Sequence, residues 1–238
     1  MTGDPAQFPV LLTSGNRNEC FRSESMSLFE RLKHNNVPTA RLSKHYRMAP
    51  DIGRFTYSLF YLGGLQSPPD LGPRSTANLV RAVIGDSTAN PSCLGNIYIY
   101  FFAHVESSIW RNKATGPITN PSCVNYIAHL VNLLVRKGVP EEQIIVFSDH
   151  VEKRRILRRS LAILHGYGGI EVKSINSAER MQKDVVILST CRPGGRIDLG
   201  LTDHPKRQCL AMSHANDALI IVGDKNIGKF VPGYHSRL

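Results

Sequence analysis

Two stretches of this chain carry residue types and spacings that could handle phosphate. Gly223-Asp-Lys-Asn-Ile-Gly-Lys-Phe230 has the glycine and lysine spacing of a phosphate-wrapping loop, and the apolar run Ala218-Leu-Ile-Ile-Val leads into it. Such a loop needs a Ser or Thr for magnesium and a helix whose amino end faces the phosphates. Phe230 stands at the hydroxyl position, and Pro232 and Gly233 follow at once, so the pattern reads as a chance match. The second stretch is a row of cations: Lys153, Arg154, Arg155, Arg158 and Arg159 lie opposite Leu157, Leu161 and Leu164 on a helix expected over 151–164. A row of this kind is either a solvated face or a track for a phosphate backbone.

Other chemistries find less support. The chain has no Ser-His-Asp elbow and no G-x-G-x-x-G after a strand, which argues against a small-molecule α/β enzyme. Cys20, Cys93, Cys123, Cys191 and Cys209 are scattered and form no C-x-x-C pair, so reduced thiols of an intracellular protein are expected, not a zinc site. With 238 residues, 42% of them hydrophobic, the chain is long enough for one large domain. No window approaches the ~18 apolar residues of a membrane helix. The amino terminus carries no secretory signal, so a compartment inside the cell, cytoplasm or nucleus, is expected. A net charge of +10 suits a polyanionic partner such as nucleic acid, or simply a soluble surface.

The elements that must position this chemistry are α/β. Lys183 to Arg192 contains the run Val185-Val-Ile-Leu188, which does not alternate with polar residues. Such a strand is buried on both faces, as in a parallel sheet covered by helices. Ile144-Ile-Val-Phe and Ala218 to Gly223 read the same way, with Asn96 to His104 and Ile170 to Ile175 as further strands. Ser122 to Lys137 is a helix with Val124, Ile127, Val131 and Leu134 inward and Gly138 as its stop. Ser27 and Glu30 have capping-box spacing for a helix over 25–34, with Leu28, Phe29 and Leu32 on one face. Pro50 opens another, carrying Ile52, Phe55, Leu59 and Phe60. Thr39 to Leu42 is a short strand candidate. Residues 66–95 read as an irregular surface segment, with a possible strand at Leu79 to Ile84.

Four stretches together resemble a known family. Gly3-Asp-Pro-Ala-Gln-Phe-Pro is similar to the G-D-x-x-Q-L-P-P motif of superfamily 1 helicases, and His45-Tyr-Arg-Met-Ala-Pro to their Q-Y-R-M-H-P. Ser174 to Arg192 is similar to V-D-S-F-Q-G-x-E-x-D-x-x-I-L-S-x-x-R. Leu201 to Ala215 resembles L-x-D-x-R-R-x-N-V-A-L-T-R-A. Their order and spacing are similar to the helicase type of nonsense-mediated RNA decay. The resemblance implies a RecA-like fold, a parallel sheet flanked by helices without a phosphate loop of its own. It also implies a remnant of a first RecA-like domain at 1–15 and the second RecA-like domain at 16–238.

The resemblance further implies roles. Gln7 matches the γ-phosphate sensor, Arg47 the arginine that reaches the phosphates, and Tyr46 the tyrosine near the base. An arginine suits developing phosphate charge because it is permanently cationic and forks onto oxygens. Gly3 and Asp4, with Arg180 and Gln182 from the third motif, complete the expected nucleotide contacts. Ser148, Lys153, Arg154, Arg158 and Ser177 are expected on single-stranded RNA or DNA. Three matches depart from the pattern. The arginine finger is His214, which lacks the guanidinium fork. Q-G-x-E falls on Glu179-Arg-Met-Gln182, and the asparagine of N-V-A-L is Cys209. ATP and Mg²⁺ are therefore expected only in a form that pairs this domain with a first RecA-like lobe, and the chain alone is expected not to hydrolyse ATP. The alternative is a decayed module that binds nucleic acid or protein without catalysis.

Overall fold

The computed structural model describes residues 3–4, 6–7, 19–20, 25–62, 64–68, 71, 75–87, 100–105, 110–111, 118–148, 150–177, 181–190 and 205–223. Among these, five strands form one parallel sheet. They are β1 (Tyr100–His104), β4 (Ile144–Ser148), β5 (Glu171–Lys173), β6 (Lys183–Ser189) and β7 (Ala215–Gly223), in the order β1-β7-β6-β4-β5. A separate antiparallel pair joins β2 (Trp110–Arg111) and β3 (Ile118–Thr119). The helices are α1 (Leu28–His34), α2 (Pro50–Phe60), α3 (Ser75–Ser87), α4 (Pro121–Arg136), α5 (Val151–Arg159) and α6 (Pro205–Met212). The parallel sheet flanked by helices is the α/β, RecA-like arrangement.

The unbroken apolar runs become the middle of the sheet because both of their faces are covered. Ile144, Val146, Val185, Ile187, Ala218, Ile220 and Val222 face one core, against α4 and α5. Ile145, Phe147, Val186, Leu188, Leu219 and Ile221 face the other, against α2 and α6. Each fully covered aliphatic side chain contributes about 1.5–3 kcal/mol. Helix α4 follows its pattern: Asn120 accepts from the Cys123 N–H at 3.1 Å, Val124, Ile127, Val131 and Leu134 are buried, and Gly138 leaves the helix at φ +96. Helix α5 widens into a π-type turn over Ser160–Leu164, and Gly166 turns the chain away at φ +74.

Several expectations are corrected. Leu79 to Ile84 is not a strand, and 66–95 is not wholly irregular. Thr76, Ala77, Val80, Val83 and Ile84 are buried at helical spacing along α3. Thr39 to Leu42 forms no strand; only a single bridge, Lys44 to Gln66, occurs nearby. The capping box of α1 is present, but no residue of α1 is buried and Leu28 is 58% exposed. In α2 the covered side is Ile52, Gly53, Thr56 and Tyr57, while Phe55, Leu59 and Phe60 are only partly covered. Asn96 to Ile99, Cys191, Arg192 and the loop from Asp224 to Phe230 lie outside the described residues.

Gly53 has no room for a side chain. A Cβ there would lie 2.9 Å from His45 Nε2 and 2.9 Å from Tyr57 Cε2. The His45 ring is tied to Ser67 Oγ at 2.8 Å and cannot easily give way. Gly53→Ala is expected to destabilise the fold by about 1–2 kcal/mol despite alanine's better helix propensity, as read by thermal or urea unfolding.

Candidate functional site

The segment before α2 is clamped on two sides. His45 N–H donates to the Gln66 carbonyl at 3.1 Å, Gln66 N–H to the Ser43 carbonyl at 2.8 Å, and Ala49 N–H to the Asn216 carbonyl at 2.7 Å. This backbone sorts the three side chains that follow His45. Tyr46 points outward at 68% exposure, and Met48 is buried in the core at 5%. Arg47 lies between them, half-buried, with Nη1 donating to the Ser213 carbonyl at 3.4 Å. Burial, and then the positive charge of Arg47, hold His45 below its ordinary pKa.

A second contact brings the start of the chain to the same helix. Asp4 accepts the Ala6 N–H on Oδ1 at 3.0 Å, shaping a tight turn. The Tyr61 hydroxyl, just past the end of α2, donates to Asp4 Oδ2 at 2.5 Å. It accepts from Gln7 Nε2 at 3.2 Å and from Cys209 Sγ of α6 at 3.5 Å. Gly3 packs beside Phe29, where a Cβ would sit 3.2 Å from the ring. Burial, then the neighbouring Cys209 and the bond to Asp4, push the Tyr61 phenol well above its ordinary range. Burial likewise pushes the Cys209 thiol up to about 12, so it stays protonated and donates.

His214 lies at the turn between α6 and β7, but its ring faces inward. It is 4% exposed, meets the Phe147 ring edge-on at 5.9 Å, and bonds through Nδ1 to the Leu210 carbonyl. Gln7, Arg47 and His214 thus all converge on α6 and its end, yet only Gln7 and Arg47 reach the surface. Gln182 is exposed, and Glu179 and Arg180 lie outside the described residues.

The expected nucleic-acid row departs further from expectation. Lys153 is 1% exposed, and its Nζ donates to Ser189 Oγ at 2.9 Å beside Cys123 Sγ, itself 3.2 Å from that hydroxyl. The sequence carries the signal for this: Lys153, Leu157 and Leu161 fall four residues apart on one helical stripe. Arg154 Nη1 donates to the Ser148 carbonyl at 2.8 Å, and Arg158 Nε to the Val172 carbonyl at 3.0 Å. Arg155 pairs with Glu152. Ser148 is fully buried, whereas Ser177 is exposed and bonded to the Ser174 carbonyl at 2.9 Å. Tyr57, Tyr61 and Cys209 stand outside the expected set. The i, i+4 spacing of the two tyrosines on α2's buried side was the available sign.

With this geometry in place, comparison with known proteins decides the family. A family model described as an AAA domain matches residues 24–226. The chain belongs to that family. Among its relatives is the "Regulator of nonsense transcripts 1 homolog" of Arabidopsis thaliana, 26% identical over 208 residues, covering 85% of this chain and 16% of that protein. The "ATP-dependent helicase NAM7" of Saccharomyces cerevisiae is 26% identical over 230 residues, covering 94% of this chain and 22% of that protein. The "ATP-dependent helicase upf1" of Schizosaccharomyces pombe is 26% identical over 242 residues, covering 99% and 25%. The chain therefore spans a quarter or less of the length of these relatives. Among the described residues no helix is long and apolar enough to cross a membrane, and no cluster of three His, Cys, Asp or Glu could hold a metal ion.

Two outcomes follow. Lys153→Ala should cost about 2–4 kcal/mol of stability through lost packing, while Lys153→Met, which keeps the length, should cost much less. A nucleic-acid contact would instead show equal losses of binding for both with little loss of stability. For His45, a folded-state pKa below the ordinary ~6.5 means that its contribution is present above that pH and is lost as pH falls through the folded value. Unfolding free energy should fall on acidification through this window, and the slope should flatten in His45→Gln.

Proposed function

We propose that this chain is the second RecA-like lobe of an ATP-dependent RNA or DNA helicase. It supplies nucleotide-sensing residues and nucleic-acid-binding loops, and it is inactive on its own. The observation that carries this reading is that Gln7, through Tyr61 and Cys209, and Arg47, through the Ser213 carbonyl, are both tied to α6 and its end while both side chains still reach solvent. An amide and a guanidinium suit a polyphosphate: the guanidinium neutralises charge and the amide orients oxygen. Tyr46, exposed beside them, suits an adenine ring. Gly3 and Asp4 shape the turn that carries Gln7.

These residues fit half of a nucleotide site. A first lobe would provide the phosphate loop and the metal, and ATP bound between the lobes would supply the energy for stepping along a single strand. Arg158 and Arg154 hold backbone carbonyls, so they would meet a nucleic-acid backbone only through their remaining donors, with Ser177 nearby. We place this work inside the cell, in cytoplasm or nucleus.

A second reading, a helicase-derived module that binds without catalysis, is favoured by one observation. The residue standing for the arginine finger is a buried histidine. An absent finger can cost on the order of 10³ or more in rate.

A titration with a fluorescent ATP analogue separates the two. The chain alone should bind weakly and show no turnover. Adding a separately supplied first lobe should tighten binding, and Arg47→Ala should remove at least ~10-fold of that gain. Analogue affinity that ignores both the lobe and Arg47 would support the non-catalytic module. Anisotropy with a labelled single strand should show weak binding that falls steeply between ~50 and ~200 mM salt.

A further inference from the structure

The Tyr61 phenol oxygen joins the first turn to the end of α2. The Tyr61 hydroxyl donates to Asp4 Oδ2 at 2.5 Å, accepts from Gln7 Nε2 at 3.2 Å and receives the Cys209 thiol at 3.5 Å. These partners come from three separate parts of the chain. Tyr61's own backbone is fixed: its carbonyl accepts the Gly64 N–H at 2.9 Å and Arg41 Nη2 at 3.4 Å, and its N–H donates to the Tyr57 carbonyl at 3.0 Å. Leu62 follows in a left-handed conformation at φ 51 and is 95% exposed, turning the chain away so that the phenol lies against α6.

We propose that Tyr61, with Cys209 behind it, is a positioning residue that registers Gln7 against the helix whose end also holds Arg47. The inference rests on the reading of Gln7 and Arg47 as nucleotide-sensing groups. An amide on a loose turn would have to be ordered each time it met a phosphate. Tied to the phenol, it waits at a fixed place relative to the guanidinium, and the entropic cost of ordering is met in advance. The phenol suits the task because it donates and accepts at one atom. Its donor side takes a carboxylate, the stronger kind of hydrogen bond. Cys209 completes it: a thiol held protonated can only act here as a short donor, and the residue it replaces in the helicase pattern, asparagine, is longer.

The experiment uses the whole chain and the variants Tyr61→Phe, Gln7→Ala and the double variant. Phenylalanine keeps the ring and removes only the oxygen. Amide exchange at Ala6 and Gln7 should quicken roughly tenfold in Tyr61→Phe, the size expected for loss of a hydrogen bond to a charged partner, while exchange in β4, β6 and β7 stays unchanged. Affinity for a fluorescent ATP analogue, measured with the first lobe supplied, should fall by similar factors in Tyr61→Phe and in Gln7→Ala. The double variant should be no weaker than either single one, because both changes undo the same placement. A purely structural role for Tyr61 would give additive losses instead. Unchanged exchange at Ala6 and Gln7 in Tyr61→Phe, or additive losses, overturns the inference and leaves the sensing role of Gln7 standing. If Gln7→Ala does not change affinity at all, the sensing role is what fails, and the exchange measurement still decides whether Tyr61 sets the placement of the turn.

Discussion

Two-sided burial of the central strands is the constraint on which the rest of this structure depends. Strands β4, β6 and β7 give alternate residues to two separate cores, so no side chain along their middles is free for chemistry. Polar groups are pushed to the ends of the strands, as they are in open parallel sheets generally. The register shows how closely this holds. Ser148 pairs with Ser189 at the carboxyl ends of β4 and β6, where the buried runs stop. Even there, the packing of α5 closes over the end, and Lys153 is drawn in to satisfy Ser189. A cation can be buried in this way only with hydrogen-bonding partners in place, because desolvation is otherwise too costly.

Helix α6 solves a different problem. Among the described residues before 61, none lies in a strand of the sheet, so side chains, together with the Ala49 N–H bond to the Asn216 carbonyl, fasten them to it. Lys206 takes Glu30 of α1, Cys209 takes Tyr61, and the carbonyl of Ser213, just beyond the helix, takes Arg47. The opposite side of α6 is filled by Leu210, Ala211 and Met212, which seat it on the sheet. One short helix and its end therefore join the core to Glu30, Tyr61 and Arg47. The Glu30 link also shows how much solvent matters. Burial alone would raise that carboxyl; the bonds from Lys206 and Ser27 outweigh it, and the carboxyl is held below its ordinary range.

What could be read from the sequence follows the strength of each residue's physical demand. Continuous runs such as Val185 to Leu188 admit one environment, and they were found where the pattern put them. Helix α4 was legible because its apolar stripe and both its caps agree. The segment from Leu79 to Ile84 misled because its β-branched residues suit a strand, while the buried stripe that Ala77, Val80, Val83 and Ile84 form makes it a helix. Lys153 was misassigned because charge outweighed position in the reading of its helix. For Arg47, motif resemblance supplied the residue and only the fold supplied its neighbours. Of the Tyr61 joint, only the spacing from Tyr57 was visible. Its partners lie 54, 57 and 148 positions away, and nothing local distinguishes a phenol that will be shared from one that will simply pack.

The substitution at His214 is the point where fold and function separate. An arginine at this turn would have to leave the core to act, since a guanidinium cannot lose its charge. A histidine stays against Phe147 and the Leu210 carbonyl, and so it adds to packing what it takes from reach. The clamp around Arg47 is unaffected, because it grips the backbone of Ser213 and not a side chain. In the proposed reading, phosphate recognition by Arg47 and the role matched at position 214 rest on different atoms around one turn.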